Sequence, residues 1–287
     1  MRAKLKNITA MLLFGSIGLF VKSIHLSSSE IALARGLIGA AVLLAASALM
    51  RNQLSFSAVR KNLILLAASG IAIGANWICL FEAYRYTTVS IATLCYYLAP
   101  VFVVALSPFI LKEKLPPLKA ICILLSLMGM VLIAGISAPG EENPRRITGI
   151  FFGISAAALY ASVIIINKFL KNITAVESTT AQLGIAAFVL LPYVLLTEDL
   201  TKISVTPLSI LLLLIVGVVH TGFGYLIYFS SVSELKGQTV AVFSYIDPIT
   251  AIFLSALVLH ERMGLLQILG AVLILGSTLL SELYRVK

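Results

Sequence analysis

The sequence predicts an all-α membrane protein with ten transmembrane helices, arranged as two inverted five-helix repeats around a central cavity. The first observation is composition, since 60% of the 287 residues are hydrophobic and only 11% are charged, whereas a soluble domain has about 25% charged residues. The second is that runs of about 20 mostly apolar residues recur along the chain, and this length crosses a bilayer. The third is that the pattern of residues 97–114 returns 148 positions later, at residues 245–262.

The repeated stretch has the form of an apolar helix with a proline near its middle and a charged end. The copies share a set of residues at Tyr97, Pro100, Leu106, Ser107, Leu111 and Glu113, and at Tyr245, Pro248, Leu254, Ser255, Leu259 and Glu261. A proline inside a helix removes a backbone donor, at a cost of about 3 kcal/mol in water. A membrane bundle tolerates it where neighbours or a cavity satisfy the exposed carbonyl group. We therefore expect helix breaks at Pro100 and Pro248, beside the cavity.

Ten apolar runs, in two groups of five, account for nearly the whole chain. The predicted spans are 8–25, 30–50, 62–84, 87–111 and 117–136 in the first group, and 147–168, 176–197, 207–233, 236–259 and 264–283 in the second. The corresponding domains are residues 1–138 and 147–287, joined by a loop at 139–146. The first span begins like a signal peptide, with basic residues before a short apolar run. At an offset of 147 it overlays the sixth span, so we expect it to be retained as helix one.

The positions of lysine and arginine predict the orientation, because cytoplasmic segments are enriched in both. With the N-terminus inside, 14 of the 21 lie on the inner side (Arg2, Lys4, Lys6, Arg51, Arg60, Lys61, Lys112, Lys114, Lys119, Lys168, Lys171, Lys236, Arg285 and Lys287), six lie on the outer side (Lys22, Arg85, Arg145, Arg146, Lys202 and Arg262), and Arg35 lies within helix two. We expect a multi-pass protein of the plasma (inner) membrane with both termini in the cytoplasm. Since five is an odd number, the second repeat enters from the opposite side, as in inverted-repeat transporters.

Composition and motifs also disfavour several other classes of protein. The basic residues behind the net charge of +9 occur as twos and threes between apolar runs, so we expect no nucleic-acid partner. Cys79, Cys95 and Cys122 lie inside apolar runs without metal or disulfide spacing, and we expect no metal and no cofactor. We expect no enzyme activity, because His260-Glu261 lacks the second histidine of H-E-x-x-H and residues 153–157 do not match G-x-S-x-G.

Asp247 is the most informative polar residue within a span. It lies about 15 Å past the inner end of helix nine, at 1.5 Å per residue, where a carboxylate costs about 2.5 to 3.5 kcal/mol and should face the bundle interior or water. It is a substrate-binding carboxylate, a proton carrier, or both. Alternatively, it is a cap for backbone groups exposed by Pro248 or for a neighbouring helix. The matching position in the first repeat is Ala99.

His220, in helix eight, is the second candidate for substrate binding and coupling, because histidine titrates near neutral pH. Alternatively, it is a neutral histidine that bonds a partner across the bundle. Helix one has no acidic residue between Ile8 and Val21. Any proton coupling would therefore use Asp247 or His220.

Arg35, in helix two, is the only cation placed well inside a span. Its side chain either reaches the interface or pairs with Glu30 or Glu82. Alternatively, it binds a substrate carboxylate. A phosphorylated substrate would need more positive charge than one arginine, so we rank sugar phosphates low.

Aromatic and amide side chains recur at expected cavity positions. The candidates for substrate binding are Trp77, Tyr97, Tyr225, Tyr228, Phe243 and Tyr245, together with Asn76, and further rings occur at Phe81, Tyr84, Tyr96 and Tyr160. Aromatic rings beside a carboxylate suit an ammonium group. Each ring has packing as its alternative role, Trp77 and Tyr84 also fit interfacial anchors, and Asn76 and Asn167 fit bridges between helices.

The two copies of the repeated motif resemble the EamA-type branch of the drug/metabolite transporter superfamily. The residues concerned are Leu-Lys-Glu-Lys-Leu at 111–115, Leu-His-Glu-Arg-Met at 259–263, and the glycine-bearing final helices with Gly129, Gly270 and Gly276. The resemblance implies a cavity lined by helices one to four and six to nine, with helices five and ten as outer supports. It also implies secondary transport of small metabolites, commonly amino acids or other amine-bearing compounds.

The expected function is therefore secondary transport of a small metabolite, foremost an amino acid or another amine-bearing compound, by alternating access. The sequence leaves open whether transport is proton-coupled or facilitated. A transporter of quaternary amines or drug-like organic cations is the first alternative, and an intramembrane enzyme is the alternative from another class. The expected partners are the small-molecule substrate, protons if transport is coupled, and the lipid bilayer, for a monomer or homodimer.

Overall fold

The computed structural model describes residues 2–49, 55–134, 144–199 and 206–284, and these contain helices and connections without a β-strand. Within these ranges, nine helices are long and apolar enough to cross a membrane, and Val242–Leu257 forms a shorter apolar helix where the sequence predicts another span. Residues 139–143 of the predicted connecting loop lie outside the described residues. The same holds for Arg51, Lys202, Arg285 and Lys287, on which the orientation argument draws.

The helices of the first half are α1 (Arg2–Lys22), α2 (Ser28–Leu49), α3 (Phe56–Lys61), α4 (Leu63–Tyr86), α5 (Val89–Tyr96), α6 (Ala99–Ile110) and α7 (Pro117–Ala134). Those of the second half are α8 (Pro144–Asn167), α9 (Ala175–Thr197), α10 (Pro207–Leu214), a π-helical segment (Ile215–Phe223), α11 (Gly224–Val232), α12 (Gly237–Ser244), α13 (Ile246–Leu257) and α14 (Leu265–Leu283). Most ends lie within a few residues of the predicted spans. Helix α1 starts at Arg2, before the predicted span at residue 8, because the helix includes the basic residues that precede the apolar run.

Local sequence signals explain where several helices begin. Thr174 and Glu177 form a capping box at the start of α9, in which the Thr174 side chain accepts from the Glu177 N–H (3.2 Å) and Glu177 accepts from the Thr174 N–H (2.8 Å). Thr88 caps α5 in the same way, accepting from the Ile91 N–H (3.2 Å). Such caps satisfy donors that have no partner within the helix.

Both copies of the repeated stretch fold into a broken helix followed by the same turn. The first break separates α5 from α6 just before Pro100, and the second separates α12 from α13 just before Pro248. After each second segment, a residue with positive φ (Lys112 at 58°, His260 at 53°) reverses the chain. The next N–H then bonds back to a serine carbonyl, from Glu113 to Ser107 (3.3 Å) and from Glu261 to Ser255 (3.1 Å).

Contacts between helix ends define two ends of the bundle. At the end with the start of α1, called the proximal end here, Lys6 pairs with Glu234 beyond α11 (3.6 Å). At the opposite, distal end, Lys22 donates to the carbonyl of Thr87 between α4 and α5 (3.3 Å). Helix α1 therefore runs from the proximal to the distal end, and α4 runs in the same direction.

Close helix packing depends on glycine at a few positions. A Cβ on Gly129 of α7 would lie 2.7 Å from the Gly270 carbonyl oxygen of α14, and the reverse distance is 2.5 Å. A Cβ on Gly15 of α1 would lie 2.3 Å from the carbonyl oxygen of Asp247 in α13. Since real Cβ contacts are not this short, these helix pairs require glycine to approach as closely as they do.

Two clusters of buried apolar side chains hold the bundle together. One surrounds Trp77 and Phe81 of α4 and includes residues of α1, α2 and α9. The other joins α5 and α6 to α7 and α14. Large apolar side chains such as Phe109, Ile64 and Leu196 are exposed on the outside, as expected of a surface that faces lipid.

Candidate functional site

A central cavity of about 330 Å³ lies between the two halves of the bundle. Nine of the twelve candidate binding and helix-break residues line it, namely Arg35, Asn76, Trp77, Tyr97, Pro100, Tyr225, Tyr228, Tyr245 and Asp247. Further lining comes from Met11, Phe14, Gly15, Ile17, Ile73, Leu80, Tyr84, Thr93, Tyr96, Ala99, Tyr160, Ile164, Ser244, Ala251 and Glu282. His220, Phe243 and Pro248 are not among the lining residues.

Asp247 lies in the first turn of α13, immediately after the helix break. The positive end of a helix dipole favours a carboxylate at this position. Gly15 brings α1 against the backbone of Asp247, and the Tyr97 side chain interacts with the Asp247 carboxyl group. Within the described parts of the chain, no ion pair involves Asp247. Its charge is therefore available to a ligand in the cavity.

Arg35 is held on the cavity wall by contacts other than ion pairs. Its side chain is 5% exposed, its Nε donates to Thr221 Oγ1 (2.9 Å), and its guanidinium lies 4.3 Å from the centroid of the Trp77 ring. Among the described residues, Arg35 forms neither of the ion pairs considered for it, with Glu30 or with Glu82.

Glu30 and Glu82 have partners other than Arg35. Glu30 accepts from the N–H of Ser27 (2.7 Å), and Glu82 pairs with Arg85 (2.9 Å). The Arg35 guanidinium keeps its terminal nitrogens without a carboxylate partner among the described residues. It can donate two parallel hydrogen bonds to a carboxylate.

Nine of the 24 residues that line the cavity are aromatic. Tyr96 stacks on Tyr160 with centroids 5.3 Å apart, and Phe14 lies edge-on to Tyr225 at 5.5 Å. The Tyr97 hydroxyl donates to the Ser244 carbonyl (3.0 Å). Trp77 and Tyr84 are buried inside the bundle rather than placed as interfacial anchors. The π faces of the aromatic rings that line the cavity can attract a cation.

His220 lies in the π-helical segment, away from the cavity. It is 1% exposed, its Nε2 lies 2.9 Å from Ser16 Oγ, and its Nδ1 lies 3.1 Å from the Ile215 carbonyl oxygen. The ring also packs edge-on against Phe20, with centroids 4.8 Å apart. These contacts correspond to the bridging role considered for this residue.

Asn76 and Asn167 both bridge helices. Asn76 donates to the Ala156 carbonyl of α8 (2.6 Å), although it also lines the cavity. Asn167 accepts from Gln182 of α9 (2.6 Å). Within the described ranges, no group of three or more His, Cys, Asp or Glu side chains could hold a metal ion.

The distal end of the cavity is closed. Phe81 and Tyr84, whose rings stack 6.4 Å apart, separate it from a polar cavity of about 670 Å³ that includes Lys22 and Glu30. Tyr84 lines both cavities. The aromatic layer therefore stands between the central cavity and the distal side.

Glu261 ties the helices together at this distal end. Its carboxylate accepts from the N–H of Val89 (2.8 Å), from Ser255 Oγ and from Lys22 Nζ. We call this set the distal latch. The equivalent glutamate at the proximal end, Glu113, is bound to Lys168 (3.1 Å).

The two glutamates differ in their surroundings. In the distal pair the side chains of Glu261 and Lys22 are 10% and 32% exposed. In the proximal pair those of Glu113 and Lys168 are 52% and 45% exposed. The distal contact is therefore less exposed than the proximal one, and Glu261 also has two further hydrogen-bond partners.

Three residues at or beside the site were not predicted from the sequence. Thr221, which positions Arg35, lies 186 residues away in the chain, so no local pattern could connect the two. Gly15 is one of many glycines in the spans. Glu282 of α14 lines the cavity, although the family resemblance implies that helix ten is an outer support. The signal for Glu282 was an acidic residue in the last apolar turn of a span.

Comparison with known proteins gives matches over nearly the whole chain. The EamA-like transporter family matches residues 3–135 and again 147–283. "Uncharacterized transporter YxxF" of Bacillus subtilis is 29% identical over 289 residues, covering 99% of this chain and 90% of that protein. An "Uncharacterized transporter" of Clostridium kluyveri is 28% identical over 248 residues, covering 84% and 79%. A solved structure titled "Crystal structure of protein" has a TM-score of 0.67 at 19% identity, covering 96% and 94%, and at this identity the likeness concerns the fold alone.

Proposed function

The chain belongs to the EamA-like transporter family, and from this premise we propose that it is a secondary transporter of a small amine-bearing metabolite, foremost an amino acid. The main supporting observation is that Asp247 and Arg35 line one cavity without forming an ion pair with each other or with another described residue. One negative and one positive group remain available to a ligand. Together they complement the ammonium and the carboxylate of a zwitterion.

The lining explains how such a ligand would be held. The ammonium group binds Asp247 and the faces of the neighbouring tyrosines, which attract cations most strongly in a dry site. The carboxylate accepts two hydrogen bonds from Arg35, whose planar guanidinium matches this geometry. A cavity of about 330 Å³ is at the lower end of the range for small-ligand sites, roughly 300 to 1,000 Å³.

The same lining disfavours a phosphorylated substrate. Among the described lining residues, Arg35 is the one Lys or Arg, and Asp247 and Glu282 would repel a phosphate. A quaternary amine or another organic cation is the second candidate, because the tyrosine wall beside Asp247 suits it. Dependence on Arg35 separates the two, since a cation without a carboxylate does not need the guanidinium.

The proposal includes ten transmembrane spans in two inverted repeats, residues 1–138 and 147–287. The packing of the helices supports it, because each main contact recurs with the halves exchanged. Helix α1 of the first half packs on α13 of the second, and the equivalent helix α8 of the second half packs on α5 and α6 of the first. In the same way, α4 packs on α9, and the π-helical segment packs on α2. An exchange of this kind is expected from a two-fold axis, and an odd number of spans per half places that axis in the membrane plane.

Alternating access follows if the contacts of Glu261 at the distal end open while equivalent contacts of Glu113 form at the proximal end. In this structure the distal latch is closed around Glu261, while the partner of the Glu113 carboxylate among the described residues is the exposed Lys168. In the opposite state, Glu113 takes up the equivalent contacts at Ser107 and at the N–H of residue 237, which lies 148 positions after Val89. On the expectation that both termini lie in the cytoplasm, we propose that the closed distal end faces the outside and that this conformation faces the cytoplasm.

Ligand stabilisation of purified, full-length protein tests this function, because a ligand stabilises the state that it binds. We expect amino acids to raise the melting temperature more than nucleosides or sugar phosphates do. Substituting Arg35→Gln should weaken binding of an amino acid by about tenfold or more, as expected for a lost charge-assisted hydrogen bond. Binding of the corresponding decarboxylated amine should be nearly unchanged.

A matched control is Arg85→Gln, which removes an exposed arginine whose ion pair lies in solvent at the distal end. This variant should bind both ligands like the wild type. Selective stabilisation by sugar phosphates would contradict the proposed substrate class. Equal affinity of Arg35→Gln and wild-type protein for the amino acid would remove Arg35 from the site.

A further inference from the structure

We propose that Glu282 and Tyr245 form a second ammonium site at the proximal end of the central cavity, so that the preferred substrate is a basic amino acid. This inference rests on the proposed function, since it assigns the α-amino and α-carboxylate groups to Asp247 and Arg35. It adds a separate position for the cation at the far end of the substrate side chain.

The first observation is a carboxylate oxygen with no partner. Glu282 lies in the last turn of α14 and lines the cavity. Within the described residues, its buried Oε2 has no hydrogen-bond partner and its side chain takes part in no ion pair. A buried carboxylate without a donor is strongly unfavourable. This oxygen therefore requires a donor that the described side chains do not supply.

The second observation is an independent polar atom in the same condition. Tyr245, at the break between α12 and α13, is 7% exposed and lines the cavity. Among the described residues, its hydroxyl makes no hydrogen bond of acceptable distance and angle, and the Thr278 side chain lies near it. Glu282 interacts electrostatically with Tyr245 and with the neighbouring lining residue Tyr228. One acceptor and one hydroxyl thus face the same part of the cavity.

This part of the cavity lies at the proximal end. Tyr228 is three residues before Ser231, whose hydroxyl accepts from Asn7 in the early part of α1 (2.9 Å). An ammonium group here could donate to Glu282 and to the Tyr245 hydroxyl, since it has three donors. The ring of Tyr228 adds a cation–π contact.

The charges of the lining fit a substrate with a net positive charge. The described lining contains two carboxyl groups, Asp247 and Glu282, and one guanidinium, Arg35, and the formal charges of their ionised forms sum to −1. A neutral zwitterion satisfies Asp247 and Arg35 and leaves Glu282 uncompensated. A basic amino acid brings one additional positive charge. Lys119 of α7 acts on Glu282 electrostatically, but the two form no ion pair.

The test compares lysine with norleucine, an amino acid of similar length that lacks the terminal amine. Binding is measured by calorimetry on purified, full-length protein. We expect wild-type protein to bind lysine about tenfold or more tightly than norleucine. Glu282→Gln should reduce this preference to within about twofold and leave norleucine affinity unchanged. Tyr245→Phe should reduce it to a smaller extent, because it removes one neutral hydrogen bond.

Glu234→Gln is the matched control, because it makes the same change at an exposed glutamate of the proximal end, and it should keep the full preference. Equal binding of lysine and norleucine to wild-type protein would overturn the inference, whether or not the variants fold. A lower melting temperature of Glu282→Gln with an unchanged preference would also overturn it, by assigning Glu282 to charge balance with Lys119. Failure of both amino acids to bind would instead contradict the proposed function.

Discussion

Substituting Glu261→Gln should open the distal side of the protein, whereas the same substitution at Glu113 should have little effect. The two glutamates occupy equivalent positions of the repeated motif, so they form a matched pair. Glu261 accepts from Lys22, Ser255 and the Val89 N–H. Glutamine keeps the shape of the side chain but removes its charge.

The size of the effect follows from burial. The Glu261 carboxylate is 10% exposed and Lys22 is 32% exposed. A hydrogen bond to a charged group contributes about 1.5 to 3 kcal/mol, and more than one of these bonds weakens when the charge is lost. We expect the distal-closed state to lose about 2 to 4 kcal/mol relative to the open state. Glu113 and Lys168 are 52% and 45% exposed, and an exposed pair contributes about 0 to 1 kcal/mol.

Labelling of Tyr84→Cys with a membrane-impermeant thiol reagent measures the opening. Tyr84 lies in the layer between the central cavity and the distal cavity, and the three native cysteines are replaced by alanine in the background. Adding Glu261→Gln should raise the labelling rate from the distal side by at least about tenfold, since 1.4 kcal/mol corresponds to a factor of ten. Adding Glu113→Gln should change the rate by less than about fivefold. Equal acceleration by the two substitutions would refute the assignment of Glu261 as the distal latch.

Three further predictions concern the packing and chemistry of the site. Gly15→Ala should lower the free energy of unfolding by about 1 to 3 kcal/mol through overpacking, because the new Cβ would meet the Asp247 carbonyl oxygen at 2.3 Å. Gly184→Ala, whose new Cβ would have nothing within 4 Å, is the control. Equal melting temperatures of the two variants would contradict this packing. Asp247→Asn should abolish uptake into liposomes while the protein still folds, and wild-type turnover by this variant would remove Asp247 from the mechanism. Thr221→Val should raise the KM for an amino acid more than the KM for its decarboxylated amine, because Arg35 loses the acceptor of its Nε at 2.9 Å; an equal rise for both substrates would indicate a general loss of packing.

The parts of the fold that sequence predicts are those with local causes. Helix positions follow from apolar runs of sufficient length, and the two breaks follow from Pro100 and Pro248, which cannot donate within a helix. The repeated turn at Glu113 and Glu261 follows from the repeated motif itself. The gathering of Asp247 with the aromatic residues also follows, because charge and broken backbone within a membrane both need a protected interior.

The parts that sequence does not predict depend on contacts between distant segments. Arg35 looked capable of reaching the interface because only its depth in the span was known, whereas its partner Thr221 is set by the packing of α2 on the π-helical segment. His220 is a candidate proton carrier by its chemistry alone, because no local pattern shows which residues surround it. Its actual neighbours, Ser16 and Phe20 on α1, enclose it outside the cavity.

The charged residues of the site are not repeated between the two halves, although the surrounding helices are. Asp247 corresponds to Ala99, 148 positions earlier, and Glu282 corresponds in the same way to Ala134. Arg35 corresponds, 147 positions later, to Gln182. Gln182 donates to Ser69 of α4 (2.7 Å) and to Asn167 of α8 (2.6 Å), so it braces helices at the position where Arg35 borders the cavity.

The repeated helices and the unrepeated charges therefore serve two separate tasks, which are the change of conformation and the binding of the ligand. In the proposed mechanism, the repeated elements, including the two motif glutamates, exchange conformations because each half takes the shape of the other. The unrepeated charges give the cavity one polarity in both conformations, so a ligand keeps one orientation while access changes sides. Since Arg35 comes from the first half and Asp247 from the second, a zwitterion that binds both also links the halves, and its binding energy can contribute to the change between the two states.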